Sequence, residues 1–346
     1  MVKISINYPD DWHHHLRDGE HLTTTVNAAA KQFARVIVMP NLSSPVTNVA
    51  LATAYRQRIL AALEPGHTLE PLMTLYLTDE TSVDEIREAK ASPFIYGCKL
   101  YPAGATTNSS AGVTAIPRIY PILEEMQRQQ LPLLVHGEVT TSSIDIFHRE
   151  QQFIEQVLAP LLQRFPKLPV VLEHITTAYA VDTVRNGPTT LAATITPHHL
   201  LADRNDLLVG GIKPHLYCLP ILKKSSDRRA LIDAATSGNN KFFLGTDSAP
   251  HPQTAKESAC GCAGIFSSLS AMELYLQVFE QENALDKLND FASKFGPEFY
   301  GLKQNTSKVH YHKQPWQVPH FISYGSTQRL IPYAAGETLQ WHRLDD

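Results

Sequence analysis

The segment Asp11-Trp12-His13-His14-His15-Leu16-Arg17 sets three imidazoles and a guanidinium within five residues. In an extended strand alternate residues share a face, so His13, His15 and Arg17 point one way and Trp12, His14 and Leu16 the other. A His-x-His pair brings two ring nitrogens close enough to bind one metal ion. Taken alone, the same run describes a solvated histidine cluster. His14 is an alternative ligand, but its face then carries Trp12 and Leu16. Further residues with ligand chemistry close other apolar runs: Lys99, His136, His174 and Asp247. Each has an ordinary reading as well. A strand lysine normally faces outward or snorkels. Pointing inward, it loses its proton on desolvation and becomes an amine able to add CO2, giving an anionic carbamate. A histidine ending a buried strand is commonly a hydrogen-bonded core residue, and Asp247 could cap a helix.

These groups meet only if the fold gathers the ends of the apolar runs. The runs are ISINYPDDWHHHLR (4–17), ARVIVMPN (34–41), LEPLMTLYLT (69–78), PFIYGCKLYP (93–102), LPLLVHGE (131–138), LPVVLEHI (168–175), TLAATITPHH (190–199) and KFFLGTDSAP (241–250). Several are almost continuously apolar, as parallel strands buried on both faces should be. Between them lie helical stretches at 48–63, 82–91, 113–129, 145–164 and 226–236, with Ser82 and Glu85 spaced as a capping box. Eight strands alternating with helices predict a (β/α)8 TIM barrel as a single domain over residues 1–346. That fold places active sites at the C-terminal strand ends. Those ends read His13–His15, Asn41, Lys99, His136, His174, His198–His199 and Asp247.

The ordered set His-x-His, strand lysine, His, His, Asp resembles the amidohydrolase superfamily with its binuclear zinc centre. The strings WHHHLRDG, VMPN, KLYPAGATTNSS, LLVHGE, LEHITT, KPHLYCLP, GTDSAPH and KESACGCAG are similar to those of its dihydroorotases, in the short, single-domain bacterial form. The likeness runs from about residue 10 to about 265. His14 departs from it, where an apolar residue is usual, and so does Gly104. The resemblance implies one zinc on His13 and His15, a second on His136 and His174, and carbamylated Lys99 (N6-carboxylysine) with a hydroxide as bridges. Asp247 completes the first site and carries the catalytic proton. Two zinc ions against three anionic ligands leave one positive charge, which favours an anionic substrate. The implied reaction is the reversible cyclisation of N-carbamoyl-L-aspartate to L-dihydroorotate in pyrimidine biosynthesis. Arg17, Asn41 and His251 would hold the substrate carboxylate, Leu219 and Ala263 its ring through backbone groups, and Thr106 and Thr107 a mobile loop over it. A homodimer is implied too.

Composition bounds the rivals. The chain has 346 residues, 43% of them hydrophobic, and a formal charge of −4. That composition supports a large core and excludes disorder as the main state. It lacks the basic footprint of a nucleic-acid or membrane-surface binder. With no apolar leader or long apolar span, the expectation is a cytoplasmic enzyme acting on a small molecule. Cys260-x-Cys262 is too tight and isolated for a zinc knuckle, and His198 and His199 read as hydrogen-bonding neighbours of the centre. A hydantoinase or allantoinase would carry a small β domain built from both chain ends, and twelve residues before His13 leave no room for its first part. A phosphotriesterase-like hydrolase gives no reason for Arg17, Asn41 and His251 together. A non-catalytic relative should lack ligands, and here the set is whole.

Overall fold

Short apolar segments buried on both faces become parallel strands here, as their composition predicts. The computed structural model describes residues 2–344. After β1 (Lys3–Asn7), eight strands follow in strict chain order around one sheet. They are β2 (Asp10–His14), β3 (Arg35–Val38), β4 (Glu70–Tyr76), β5 (Ile95–Leu100), β6 (Leu133–Val135), β7 (Val170–Leu172), β8 (Leu191–Ile195) and β9 (Phe242–Leu244). Every adjacent pair is parallel. The gap between β9 and β2 is closed by backbone bonds just past the strand ends, Asp247 N to His13 O at 2.9 Å and His15 N to Ser248 O at 3.1 Å. The expected (β/α)8 barrel is what forms, and the residues that close it are themselves ligand candidates.

The helices follow the expected order with shifts at their ends. Val49–Ala61, Val83–Ala91 and Ser225–Ala235 fall where the periodicity puts them. The stretch 145–164 becomes helical from Arg149, with a π segment at Ile154–Leu158. The stretch 113–129 is helical only from Ile116, because Val113 pairs back against Tyr101 and Ala103. Ser82 does cap its helix, accepting from Glu85 N at 3.1 Å, but the box is only half made. The Glu85 carboxylate instead accepts from Val49 N at 2.7 Å, tying two helices together.

Two corrections concern the first run. Residues 4–17 are two strands, not one. β1 leaves the barrel and pairs antiparallel with β10 (Lys308–Gln317), which pairs with β13 (Thr338–Arg343). A small sheet built from both chain ends is therefore present, contrary to the expectation that there was no room for its first strand; five residues suffice. Its Tyr311 and Trp341 are buried in the apolar layer that also covers the barrel helices. Two short strands, β11 (Ile322–Tyr324) and β12 (Gln328–Leu330), form a hairpin nearby. The second correction is a β-bulge: the β2–β3 register shifts between Asp11 and His14. One extra residue breaks the alternation, so Trp12 and His13 both enter the barrel while His14 packs outside it against Phe33.

Trp12 forms the floor beneath the strand ends. With Ile37, Leu72, Leu134, Val171 and Phe243 it fills the barrel interior, and it stacks on Tyr300 at 4.5 Å between centroids. Tyr300 lies on the helix Phe295–Tyr300, which plugs the N-terminal mouth. That helix lies this close only because residue 296 is glycine: a Cβ there would sit 1.9 Å from Trp12 Nε1. Gly296→Ala is expected to cost about 1–3 kcal/mol, the usual penalty for overpacking a core. The check is a lower urea midpoint at unchanged slope. Among the described residues, no helix is long and apolar enough to cross a membrane.

Candidate metal centre

At the barrel's C-terminal mouth, β2 and the turn after β9 bring three ligand-type groups together. His13 Nε2 lies 3.3 Å from both His15 Nε2 and Asp247 Oδ1, and His15 Nε2 lies 3.0 Å from Asp247 Oδ1. These side chains are buried and could hold one metal ion between them. Asp247, His174 and Arg17 all adopt positive φ, at 45°, 42° and 60°. For residues with a Cβ this conformation is costly and persists only when the surroundings impose it. Here His13 O receives the Asp247 amide, and Thr194 Oγ1 receives the His174 amide at 2.7 Å.

The remaining expected ligands line the neighbouring wall. The His174 ring lies 4.8 Å from that of His13 and 4.9 Å from that of His136. Lys99, at the end of β5, is fully buried, and its Nζ has no hydrogen-bond partner among the described residues; nor has His174 Nδ1. A buried polar atom without a partner is expensive. Two of them at one mouth point to a group that would satisfy both. Burial lowers the Lys99 ammonium to about 8, against the opposing pull of Glu173 and Asp247, so free amine is accessible near neutral pH. Burial likewise brings His15 down to about 3 and His174 well below its usual range, leaving both neutral with lone pairs to offer. Asp247 stays ionised: burial would raise it, but His13, His15 and His174 together hold it well below the usual carboxylate range.

His14 is settled by the bulge. Its Nδ1 lies 2.6 Å from Asp11 Oδ2, away from the centre. The same buried carboxylate accepts from His13 N at 3.1 Å and from Thr246 N and Oγ1 at 2.8 and 2.5 Å. Asp11 thus joins the strand carrying His13 and His15 to the turn carrying Asp247, and His14 adds one more donor to that joint.

Arg17 is not paired with Asp18 or Glu20; Asp18 is taken by Arg58 at 2.7 Å. Instead Arg17 Nε donates to Pro250 O at 2.9 Å and Nη2 lies 3.0 Å from His251 Nε2. Arg17, Asn41, Thr106, Thr107, Leu219 and Ala263 all border a cavity of about 20 Å3 above the histidines. His251 lies outside it, bordering a larger cavity of about 560 Å3 that shares Arg17 and Thr107. The inner space holds roughly one water, because the loop after β5 is folded down. Asn41 Nδ2 donates to Thr107 O at 3.1 Å, and Thr107 Oγ1 to Ala263 O at 3.4 Å. Gly104, at φ 78°, makes the sharp turn at the base of this loop.

Besides Asp11, sequence reasoning overlooked three residues. Tyr101 also borders the inner cavity, and its position two residues after Lys99 on the same strand face was the available signal. Lys256 Nζ donates to Tyr217 O and Cys262 O, both at 2.7 Å, and so joins the segments carrying Leu219 and Ala263. Glu173 bonds to His13 from across the barrel, at 2.7 Å. The buried group His198, His199 and Cys218 also has ligand chemistry. However, both ring nitrogens of His199 are engaged, with Thr196 Oγ1 and Pro220 O, and burial raises the Cys218 thiol to about 12. We assign no ion there. Cys260 and Cys262 are free thiols.

The family model for the amidohydrolase family matches residues 9–318. The chain is 59% identical over 341 residues to a dihydroorotase of Nitrosococcus oceani, covering 99% of each chain. It superposes on the crystal structure of a dihydroorotase from Campylobacter jejuni with a TM-score of 0.90 at 35% identity, covering 99% of this chain and 97% of that one. A dihydroorotase from Saccharomyces cerevisiae, solved in complex with 5-fluoroorotic acid, gives the same TM-score and identity, covering 99% of each chain.

Proposed function

The chain belongs to the amidohydrolase family and, within it, to the dihydroorotases; from that premise we infer that it interconverts N-carbamoyl-L-aspartate and L-dihydroorotate, with zinc as its metal. The observation that carries this reading is the meeting of His13, His15 and Asp247 beside an unpartnered buried Lys99, with Arg17 at the mouth. His13, His15 and Asp247 would hold one ion and His136 and His174 the other. Carbamylated Lys99 would serve both, since adding CO2 turns a buried cation lacking partners into an anion with two oxygens. When bound, two zinc ions supply Lewis acidity that makes water nucleophilic near neutral pH and polarises an amide carbonyl.

The protein's own groups then manage protons and position. Asp247, ionised and facing the centre, takes the proton of the attacking water and delivers it to the ring nitrogen that leaves. Ring closure runs the same transfers in reverse. Arg17 presents a planar fork to the carboxylate outside the ring, with Asn41 and His251 beside it. The buried Asn41 Oδ1 has no partner among the described residues and keeps acceptor capacity for a substrate N–H. Thr106 and Thr107 must lift for the substrate to enter, since the inner cavity as it stands takes about one water. Folded back, they exclude solvent from the polarised amide. We place the enzyme in the cytoplasm, as a homodimer without a nucleic-acid partner.

The test is an assay of zinc-loaded protein with L-dihydroorotate, following ring opening by ultraviolet absorbance. No turnover in either direction would sink the reading. Within it, Arg17→Met is expected to retain zinc while kcat/KM falls at least ~10-fold, the loss of a charge-assisted contact worth ~1.5–3 kcal/mol. Metal analysis alongside kinetics separates the roles, for a variant that loses zinc makes Arg17 structural.

A further inference from the structure

We propose that Glu173, which is not itself among the expected ligands, is the positioning residue that fixes His13 for metal binding and couples the two halves of the centre. This rests on the metal-dependent reading above. Glu173 immediately precedes His174 at the end of β7, yet its side chain crosses to β2, where Oε2 lies 2.7 Å from His13 Nδ1. The same oxygen accepts from Thr194 Oγ1 at 2.7 Å, and Thr194 Oγ1 accepts from the His174 amide at 2.7 Å. A continuous path thus runs from the backbone of one candidate ligand through a hydroxyl and a carboxylate to the ring of another. All four residues are buried, Thr194 fully.

The chemistry of that path is directional. Thr194 Oγ1 already donates to Glu173 Oε2, so that oxygen acts as an acceptor, and its 2.7 Å contact with Nδ1 of His13 sets the ring proton there. The remaining lone pair then lies on Nε2, the atom 3.3 Å from both His15 Nε2 and Asp247 Oδ1. Without Glu173 the imidazole could hold its proton on either nitrogen, and the form protonated on Nε2 presents no lone pair to an ion. A carboxylate behind a ligating histidine also raises the basicity of the ring and locks its orientation. Because Glu173 and His174 are adjacent in the chain, moving one moves the other. His13 on one side and His174 on the other are therefore set by a single short segment.

The near-isosteric Glu173→Gln tests this. It keeps the volume, but its amide can turn either end toward His13 and so no longer dictates the proton's position. Two readouts are taken on the full-length, zinc-loaded chain: zinc affinity by competition with a chelator, and the His13 Nδ1–H resonance by NMR of protein with 15N-labelled histidine. The expected result is zinc affinity lower by about 10-fold, within the range for such outer partners, with a shifted or lost resonance and a nearly unchanged Tm. Glu173→Ala should lose more, up to about 100-fold. A Gln variant that keeps both affinity and resonance overturns the proposal, as does an affinity loss that comes with a collapsed Tm and an unchanged resonance. If the unsubstituted protein itself binds no zinc, the functional reading fails first, so the two failures are distinct.

Discussion

Lys99→Ala is expected to lose almost all activity, and a short carboxylic acid added in solution is expected to restore part of it. The loss should be large because Lys99 would supply the anion shared by both ions. Lewis-acid stabilisation is worth several kcal/mol, and each 1.36 kcal/mol is tenfold, so kcat/KM should fall roughly 10²–10⁴-fold. Rescue follows from volume: truncation at Cβ vacates the space of a fully buried side chain at the end of β5, beside Tyr101, which borders the cavity above the histidines, and a small carboxylate is expected to occupy it. Lys99→Arg should stay inactive, because a guanidinium remains charged and cannot add CO2 in this way. Full activity in Lys99→Arg would exclude a carbamate. The pH sense is also set. Burial lowers the Lys99 ammonium to about 8, and only the neutral amine adds CO2. Raising the pH from 7 to 9 should carry the free amine from about a tenth to about nine-tenths. Protein stripped of metal and CO2 should accordingly reactivate several-fold faster at pH 9 than at pH 7, at equal dissolved CO2.

The candidate ligand positions stood out because of where they sit, not because histidine is rare. A parallel barrel forces its active groups to the strand ends, and most of the apolar runs, though not 69–78, ended in a group with ligand chemistry. Lys99 needed the family resemblance, since no property of a strand lysine says which way it points. What stayed hidden is instructive. The β2 bulge adds one residue, and a bulge leaves the sequence pattern unchanged while reversing every side chain beyond it. Strict alternation therefore put Trp12 opposite His13, whereas both lie inside the barrel. β1 was merged into the first run even though Pro9, which cannot donate to a ladder, interrupts it, and the chain turns there from one sheet to another. Asp11 and Glu173 drew no reading of their own. Yet a carboxylate inside an apolar run must have buried partners to be tolerated, and that rule pointed to both. The helix Phe295–Tyr300 gave no warning, because six residues carry too little periodicity to reveal that they plug a barrel.

The second large effect belongs to Asp247, through which both directions of the reaction should pass. Asp247→Asn would remove the charge of the proposed ligand oxygen and the proposed proton carrier together. Acid–base assistance alone contributes about 10²–10⁴-fold, so hydrolysis and closure should both fall by at least that much. They should fall equally at any one pH, since no substitution changes the equilibrium between free compounds. That equilibrium has its own pH dependence. Closing the ring turns a carboxylate into a neutral imide carbonyl and consumes one proton. Above the carboxylate pKa near ~4, the apparent constant for closure should therefore drop tenfold per pH unit. The unsubstituted enzyme must divide this slope between its two rates. Asp247 is held ionised well below the usual carboxylate range by His13, His15 and His174, despite burial. As a base it is then ready throughout pH 6–9, and hydrolysis should rise with pH only until the attacking water has lost its proton, and then level off. Closure needs the rare protonated form of the same carboxylate, so it should climb as pH falls, until protonated histidines release the metal. Forward and reverse profiles from about pH 6 to 9, with product ratios at equilibrium, test both claims. An Asp247→Asn variant that keeps near-full rates in both directions, or hydrolysis that falls instead of levelling off toward pH 9, would show that a different residue carries the proton.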